Sequence, residues 1–363
     1  MLQRLTLIVS ALAPALALAL AGCVSAGAGL LAAPAGEVAE VATPGPPPLS
    51  YPPDIGPGGG RHIVLVAGEE EYRSEEALPQ LAKILAARHG FRCTVLFSTD
   101  PRDGTIDPAA RDHIPGLEAL DDADLLVIFT RFRQLPDADM KHLVDFVNSK
   151  RPVIGLRTAT HAFAYDPGSA SPYAGWSWDS ADPGSPGGFG QQILGASWAG
   201  QPGRQGEEST RGTVPAAAAG HVILHGVAGV WAPSDVYAVP ELPPDATVLL
   251  EGASLAGMTP DAPASGGERE AARTPVAWTR EIALRGSGCQ RVLCSTLGAA
   301  ADLRSEDLRR LLVNACYWCL MLGQDIPERA DVSLVGDYDP SPSGEGGHRK
   351  GVRPADLALP ALP

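Results

Sequence analysis

Three short polar clusters carry residue types and spacings suited to ligand chemistry: Gly68-Glu69-Glu70-Glu71-Tyr72-Arg73, Thr130-Arg131-Phe132-Arg133 and Arg157-Thr158-Ala159-Thr160-His161. Each follows an apolar run. Together they supply carboxylates that accept from hydroxyls, arginine forks that hold anionic or carbonyl oxygens, and one histidine able to move a proton. Such a set suits a polyhydroxylated or anionic small molecule. The third cluster lies in PVIGLRTATHAF (152–163), where Gly155 and Ala159 flank Arg157 at two residues on either side. That is the spacing of a strand-to-helix elbow that presents a nucleophile, yet arginine is no nucleophile.

His161 is the candidate general acid or base, and Arg157 the candidate holder of a developing oxyanion or keto oxygen. Glu70, Tyr72, Arg131, Arg133, Thr158 and Trp178 are the candidate substrate contacts. Simpler readings stay open beside these. The acidic run can pair with Arg73 or Arg131, RFR can be surface arginines, Arg157 can sit in a structural ion pair, and His161 can be structural.

Other constellations are weaker. His221 and His225 have the spacing of a helical metal pair, but HVILHGV reads as extended, so no metal site is predicted, and no cofactor either. Cys316 and Cys319 fall inside the apolar run LLVNACYWCLML with no second ligand pair, which favours core thiols over zinc. Serine-histidine-aspartate chemistry has no serine at the elbow.

The elements that must position the clusters alternate. Strands are expected at 61–67, 92–98, 124–130 and 152–156, with helices at 74–90 and 135–150 between them. Continuous apolar strands alternating with helices indicate an α/β, doubly wound, mostly parallel sheet of flavodoxin-like type. In such a sheet ligands bind at the carboxyl ends of the strands, where all three clusters lie. Residues 166–220 read as a long loop, with Trp176 and Trp178 marking a packed lid and GGFGQQILG a short helix. Further strands are expected at 235–239, 246–252, 274–280 and 290–298, and a final helix at 305–322 capped by Ser305.

The chain has 363 residues and a net charge of −14, from 42 acidic against 28 basic residues, which argues against nucleic acid as a partner. Residues 1–22 have the anatomy of an export signal, ending at Leu20-Ala21-Gly22-Cys23. This resembles the bacterial lipoprotein box, with Cys23 the expected lipid attachment. Membrane contact is then expected through that lipid alone, on the periplasmic face, and Val24 mildly favours the outer membrane. Residues 23–60, rich in Pro, Gly and Ala, read as a tether; 61–330 as the α/β domain; 331–363 as an extended tail.

The blocks HIVLVAGEEEYRSEEALPQLAKIL, DLLVIFTRFRQLPDADMKHLVDFV, PVIGLRTATHAF, GGFGQQILG, ESTRG, PSDVYAV, PVAWTRE and DLRRLLVNACYW occur in that order. They resemble a ThuA-like (trehalose-utilisation) domain, particularly the exported ones of planctomycete-type bacteria. The resemblance implies the class I glutamine-amidotransferase-like fold without amidotransferase chemistry, because Arg157 stands where those enzymes place cysteine. It further implies carbohydrate as the ligand, with disaccharides such as trehalose or their oxidised keto forms foremost. A non-catalytic sugar-binding or assembly module, as a homo-oligomer or beside a dehydrogenase, is the alternative. The family's histidines after the tryptophan that follows the GGF helix are replaced here by Ala199-Gly200-Gln201-Pro202, which speaks against activity.

Overall fold

A computed structural model describes residues 48–266, 273–284 and 288–359. The signal segment, Cys23 and residues 24–47 of the tether lie outside the described residues. In chain order the elements are β1 (Leu49–Tyr51), β2 (His62–Gly68), α1 (Ser74–His89), β3 (Arg92–Phe97), β4 (Leu125–Thr130), α2 (Asp137–Asn148) and β5 (Val153–Leu156). Then follow β6 (Ser209–Thr213), β7 (Val230–Ala232), β8 (Ala246–Leu255), β9 (Thr274–Ala283), β10 (Cys289–Ser295) and α3 (Glu306–Cys319).

All ten strands share one sheet in the order β1-β3-β2-β4-β5-β10-β9-β8-β6-β7. Strands β3, β2, β4, β5 and β10 pair in parallel, which is the flavodoxin-like order 2-1-3-4-5. Their apolar residues are buried on both faces. Ile63, Leu65 and Ala67 of β2 join the core under α1 and α3, while Val64 and Val66 join the core under α2. The fold expected from the sequence is therefore the one observed. Beyond β10 the sheet continues antiparallel through β9, β8, β6 and β7.

Several local expectations differ. Residues 235–239 form no strand; their polar members turn inward to the elbow instead, and the strands in this region are β6 and β7. The end of the expected tether is packed: β1 pairs antiparallel with β3, and Asp54, Gly58 and Gly60 donate backbone hydrogen bonds to the end of α1 and to Gly90. The tail has no strand among its described residues and only one short helical turn, Pro354–Leu357, but it lies against the domain. Tyr51 Oη donates to the Leu357 carbonyl, and Gly344 N to the Glu71 carbonyl. GGFGQQILG does form a short helix, a single π turn at Gly190–Leu194. Ser305 caps α3 as expected, accepting from Leu308 N. Cys93, Cys294, Cys316 and Cys319 are buried free thiols. Among the described residues no helix is long and apolar enough to cross a membrane.

Candidate functional site

The turn after β5 is a true elbow. Arg157 has φ +47°, a conformation that costs energy for a residue with a Cβ. Gly155 has no room for a side chain: a Cβ there would lie 2.6 Å from Leu194 Cδ1 and 3.3 Å from Ala159 Cβ. Arg73 (φ +63°) and Phe132 (φ +52°) bend the other two loops in the same way. Three of the five non-glycine residues with positive φ among the described residues thus fall in the three clusters at the sheet's carboxyl end.

The side chain of Arg157 is spent inside the protein. It is fully buried, with Nη2 donating to Asp235 Oδ1 at 2.8 Å and Nη1 donating to the carbonyls of Asp235 (2.8 Å) and Thr296 (2.7 Å). Its guanidinium carbon lies 4.0 Å from the Tyr72 ring centroid. Asp235, equally buried, also accepts from Tyr72 Oη (3.1 Å) and Gln201 Nε2 (2.5 Å). The expectation that Arg157 holds a substrate oxygen is therefore corrected. A long cation at the centre of the sheet end needs a carboxylate, and Asp235 supplies it from within.

Beside this ion pair opens a cleft with a free volume of about 60 Å³. Of the expected residues, Tyr72, Arg131, Thr158 and His161 line it. Glu71 and Phe132, from the same clusters but not singled out as contacts, line it as well, together with Trp198, Gln201 and Tyr237. Asp235 and Tyr237 left a signal in the sequence, since PSDVYAV places polar groups in what reads as an apolar strand. A larger hollow of about 220 Å³ lies between α3 and residues 329–333, but none of the three clusters contributes to it.

Three expected contacts lie off the cleft. Arg133 is buried and spends its donors on the carbonyls of Pro108, Ala110 and Arg131 and on Glu70 Oε2 (3.0 Å), so it fastens loops together. Glu70 is that arginine's partner. Trp178 packs at 6.0 Å on Phe132 and 5.5 Å on Trp198, backing the wall instead of forming it. Trp176, expected in a lid, stacks on Phe189.

Arg131 is the cation of the cleft. Its Nη1 donates to Glu71 Oε2 (2.5 Å) and its Nη2 to Glu345 Oε1 (3.3 Å), a tail residue whose side chain is 73% exposed. Burial raises the Glu71 carboxyl above its ordinary range, with Arg131 opposing. Burial likewise pushes Glu69 up to about 7, against the backbone N–H groups of Glu71 and Tyr72 that donate to it.

His161 is 5% exposed and packs against the rings of Phe132 (5.1 Å), Trp198 (5.5 Å) and Tyr237 (6.0 Å). Its tautomer follows from a chain of hydrogen bonds. Tyr237 Oη donates to the Arg157 carbonyl, which has no proton to offer in return. Tyr237 Oη must then accept from Thr160 Oγ1 (3.1 Å), so Thr160 Oγ1 must accept from His161 Nδ1–H (3.2 Å). Nδ1 carries the proton, and Nε2 presents a lone pair with no hydrogen-bond partner among the described residues. Burial, aided by the charges of Arg131 and Arg157, lowers the imidazole to about 3, so it is neutral at ordinary pH. Arg157 thus serves the site through its backbone: the strained elbow aims the carbonyl that anchors the chain.

Among the described residues no group of three or more His, Cys, Asp or Glu is placed to hold a metal ion. No protein-family profile matches the chain, and no curated protein matches it. Among solved structures it is similar to a protein from Bacteroides uniformis described as ThuA-like, with 14% identity over 74% of this chain and 95% of the other, at a TM-score of 0.42. A second ThuA-like protein, from Parabacteroides merdae, aligns at 14% identity over 83% and 99% of the two chains, at a TM-score of 0.41. A glutamine amidotransferase from Thermotoga maritima aligns at 11% identity over 74% and 87%, at a TM-score of 0.32.

Proposed function

We propose that the chain is an exported, lipid-anchored ThuA-like protein of carbohydrate utilisation, whose cleft takes the hydroxy-carbonyl edge of a sugar. The ligands envisaged are trehalose-like disaccharides in oxidised, keto-bearing form. The ordered sequence blocks and the elbow without cysteine support the family. The observation that carries the chemistry is the unpartnered, deprotonated Nε2 of His161 beside Arg131. A free volume of about 60 Å³ takes some four or five non-hydrogen atoms, at about 10–15 Å³ for one water, so only the reacting edge enters.

In this reading Arg131 exchanges exposed Glu345 for the ligand's carbonyl oxygen, and His161 Nε2 accepts the proton from the adjacent carbinol carbon. The electrons of that C–H bond move into an enediolate whose oxygen faces Arg131. Negative charge growing there offsets the Arg131 charge that depresses His161, so the imidazole becomes a stronger base as the proton moves. The protonated His161 then returns the proton to the enediolate, while Glu71, accepting from Arg131 and Gln205, holds the arginine in place.

A binding role without turnover is the second reading. It rests on Gln201, which spends its amide on Tyr72 and Asp235 and offers no acid or base. Incubation with keto-disaccharides, followed by proton NMR for exchange and products, separates the two. Catalysis predicts turnover that His161→Gln abolishes while ligand-induced thermal stabilisation survives. Turnover retained in that variant would sink the assignment of His161, and stabilisation with no turnover in the wild type would leave the binding role.

A further inference from the structure

The hollow of about 220 Å³ between α3 and residues 329–333 is built around a buried cation that pairs with no carboxylate among the described residues. Arg309 is 7% exposed, and three backbone carbonyls clamp one side of its guanidinium. Nε donates to the Val332 carbonyl (2.7 Å), and Nη1 to those of Leu303 (2.6 Å) and Arg304 (3.1 Å). Nη2 donates to nothing among the described residues and is not sealed off, so its two N–H groups open onto the hollow that Arg309 lines. Burial works against this charge, and Glu306 offsets that only from a distance. Glu306 Oε1 is itself taken by Arg310 Nη2 and by Arg329 Nη2 (2.6 Å). Asp331, the other carboxylate of the lining, accepts from Ser333 N and faces Arg88. Arg329 keeps Nε and Nη1, and Ser333 its hydroxyl, without a partner among the described residues.

A guanidinium held rigid on one side and left with open donors on the other is preorganised for an anion. We propose that this hollow binds the phosphate group of a small hydrophilic phosphomonoester. The dianion presents three terminal oxygens, and three donor groups are there to meet them: Arg309 Nη2 from the buried wall, the free side of Arg329, and Ser333 Oγ. The lining sets three arginines against two carboxylates, so the hollow keeps one positive charge. A carboxylate ligand, with two oxygens, would leave one donor unmet, and a metal cation would face arginines. At about 10–15 Å³ for one water, the space takes about 15–22 non-hydrogen atoms, so a small polyol fits beside the phosphate. Only Ala330 and Val332 are apolar there, which suits a hydrophilic carrier over a lipid.

The test uses the full chain at about pH 8, where the phosphate is a dianion, and at constant ionic strength. Inorganic phosphate and glycerol phosphate are the probes and acetate the control, read by calorimetry and thermal shift. Both phosphates should bind saturably with a millimolar or tighter Kd, and acetate at least about tenfold more weakly. Ser333→Asp puts a negative charge at an exposed position and leaves Arg309 in place, and it should weaken both phosphates at least about tenfold. Arg329→Gln should weaken them about threefold or more. Arg131→Gln, which alters the cation of the cleft instead, should leave phosphate binding unchanged. Absence of saturable phosphate binding to the wild type up to about 50 mM, or equal binding to wild type and Ser333→Asp, overturns the proposal. So does acetate binding as tightly as phosphate, or inorganic phosphate binding where glycerol phosphate does not. Binding lost in Arg131→Gln and kept in Ser333→Asp would place the anion in the cleft and overturn it as well.

Discussion

Replacing His161 with glutamine should change how the protein responds to acid, by an amount the site itself sets. The imidazole titrates near 6.5 when unfolded and is lowered to about 3 in the fold, first by burial and then by Arg131 and Arg157. Between those values the unfolded chain binds a proton that the folded chain refuses, so acid favours unfolding. The contribution is fully present above pH 6.5 and is lost as pH falls towards 3. At pH 4.5 the gap to 6.5 is two units, which corresponds to about 2.7 kcal/mol at 1.36 kcal/mol per unit. Urea unfolding of wild type and His161→Gln at pH 7.5 and 4.5 measures it. Every other acid-sensitive group is common to both proteins and cancels in the difference. The stability advantage of the wild type should shrink by about 2–3 kcal/mol on going to pH 4.5. A difference that stays constant across that range would show that His161 titrates normally, and the reasoning about its neutral, enclosed state would fail.

Three further outcomes follow from the same geometry. Arg157→Met should cost about 3–5 kcal/mol in urea unfolding, because Asp235 is left charged and buried, and Arg157→Met with Asp235→Asn should recover part of it; an unharmed fold with lost ligand binding would return Arg157 to the ligand. Tyr237→Phe removes the donor to the Arg157 carbonyl and frees the Thr160 proton to point at His161. Nitrogen-15 spectra should then show proton density moving from Nδ1 to Nε2, and unchanged spectra would refute the hydrogen-bond chain. Glu75→Gln should gain on the wild type as pH rises. Burial pushes Glu75 from 4.5 to about 8, so its contribution is present below pH 4.5 and is lost on the way to pH 8, at about 1.4 kcal/mol per unit. Parallel pH profiles would contradict this.

The parallel half of the sheet was legible because β2, β4 and β5 are apolar on both faces and end in glycine or polar turns. The elbow was legible from Gly155 and Ala159 alone, and its strained φ agrees. What Arg157 does was not legible, since its partner Asp235 lies 78 positions away in a segment that reads as a strand. Arg133 and Glu70 look like ligand groups for the same reason: the carbonyls of Pro108 and Ala110 that hold Arg133 carry no side-chain signature. The tail's Pro, Gly and Ser content hid the contacts of Gly344, Glu345 and Leu357, because a segment can pack without forming a helix or strand. His161 was placed by position only; its tautomer needed Thr160, Tyr237 and the Arg157 carbonyl in three dimensions.

In the proposed function His161 Nε2 is the open acceptor of a cleft that receives a hydroxy-carbonyl edge. Titrating the histidine-nitrogen-15-labelled chain with a keto-disaccharide tests it most directly. The His161 Nε2 resonance should move saturably from the unprotonated position while Nδ1 remains protonated, and the other histidines should stay still. An Nε2 signal that does not move, or that is protonated before ligand is added, would contradict the account.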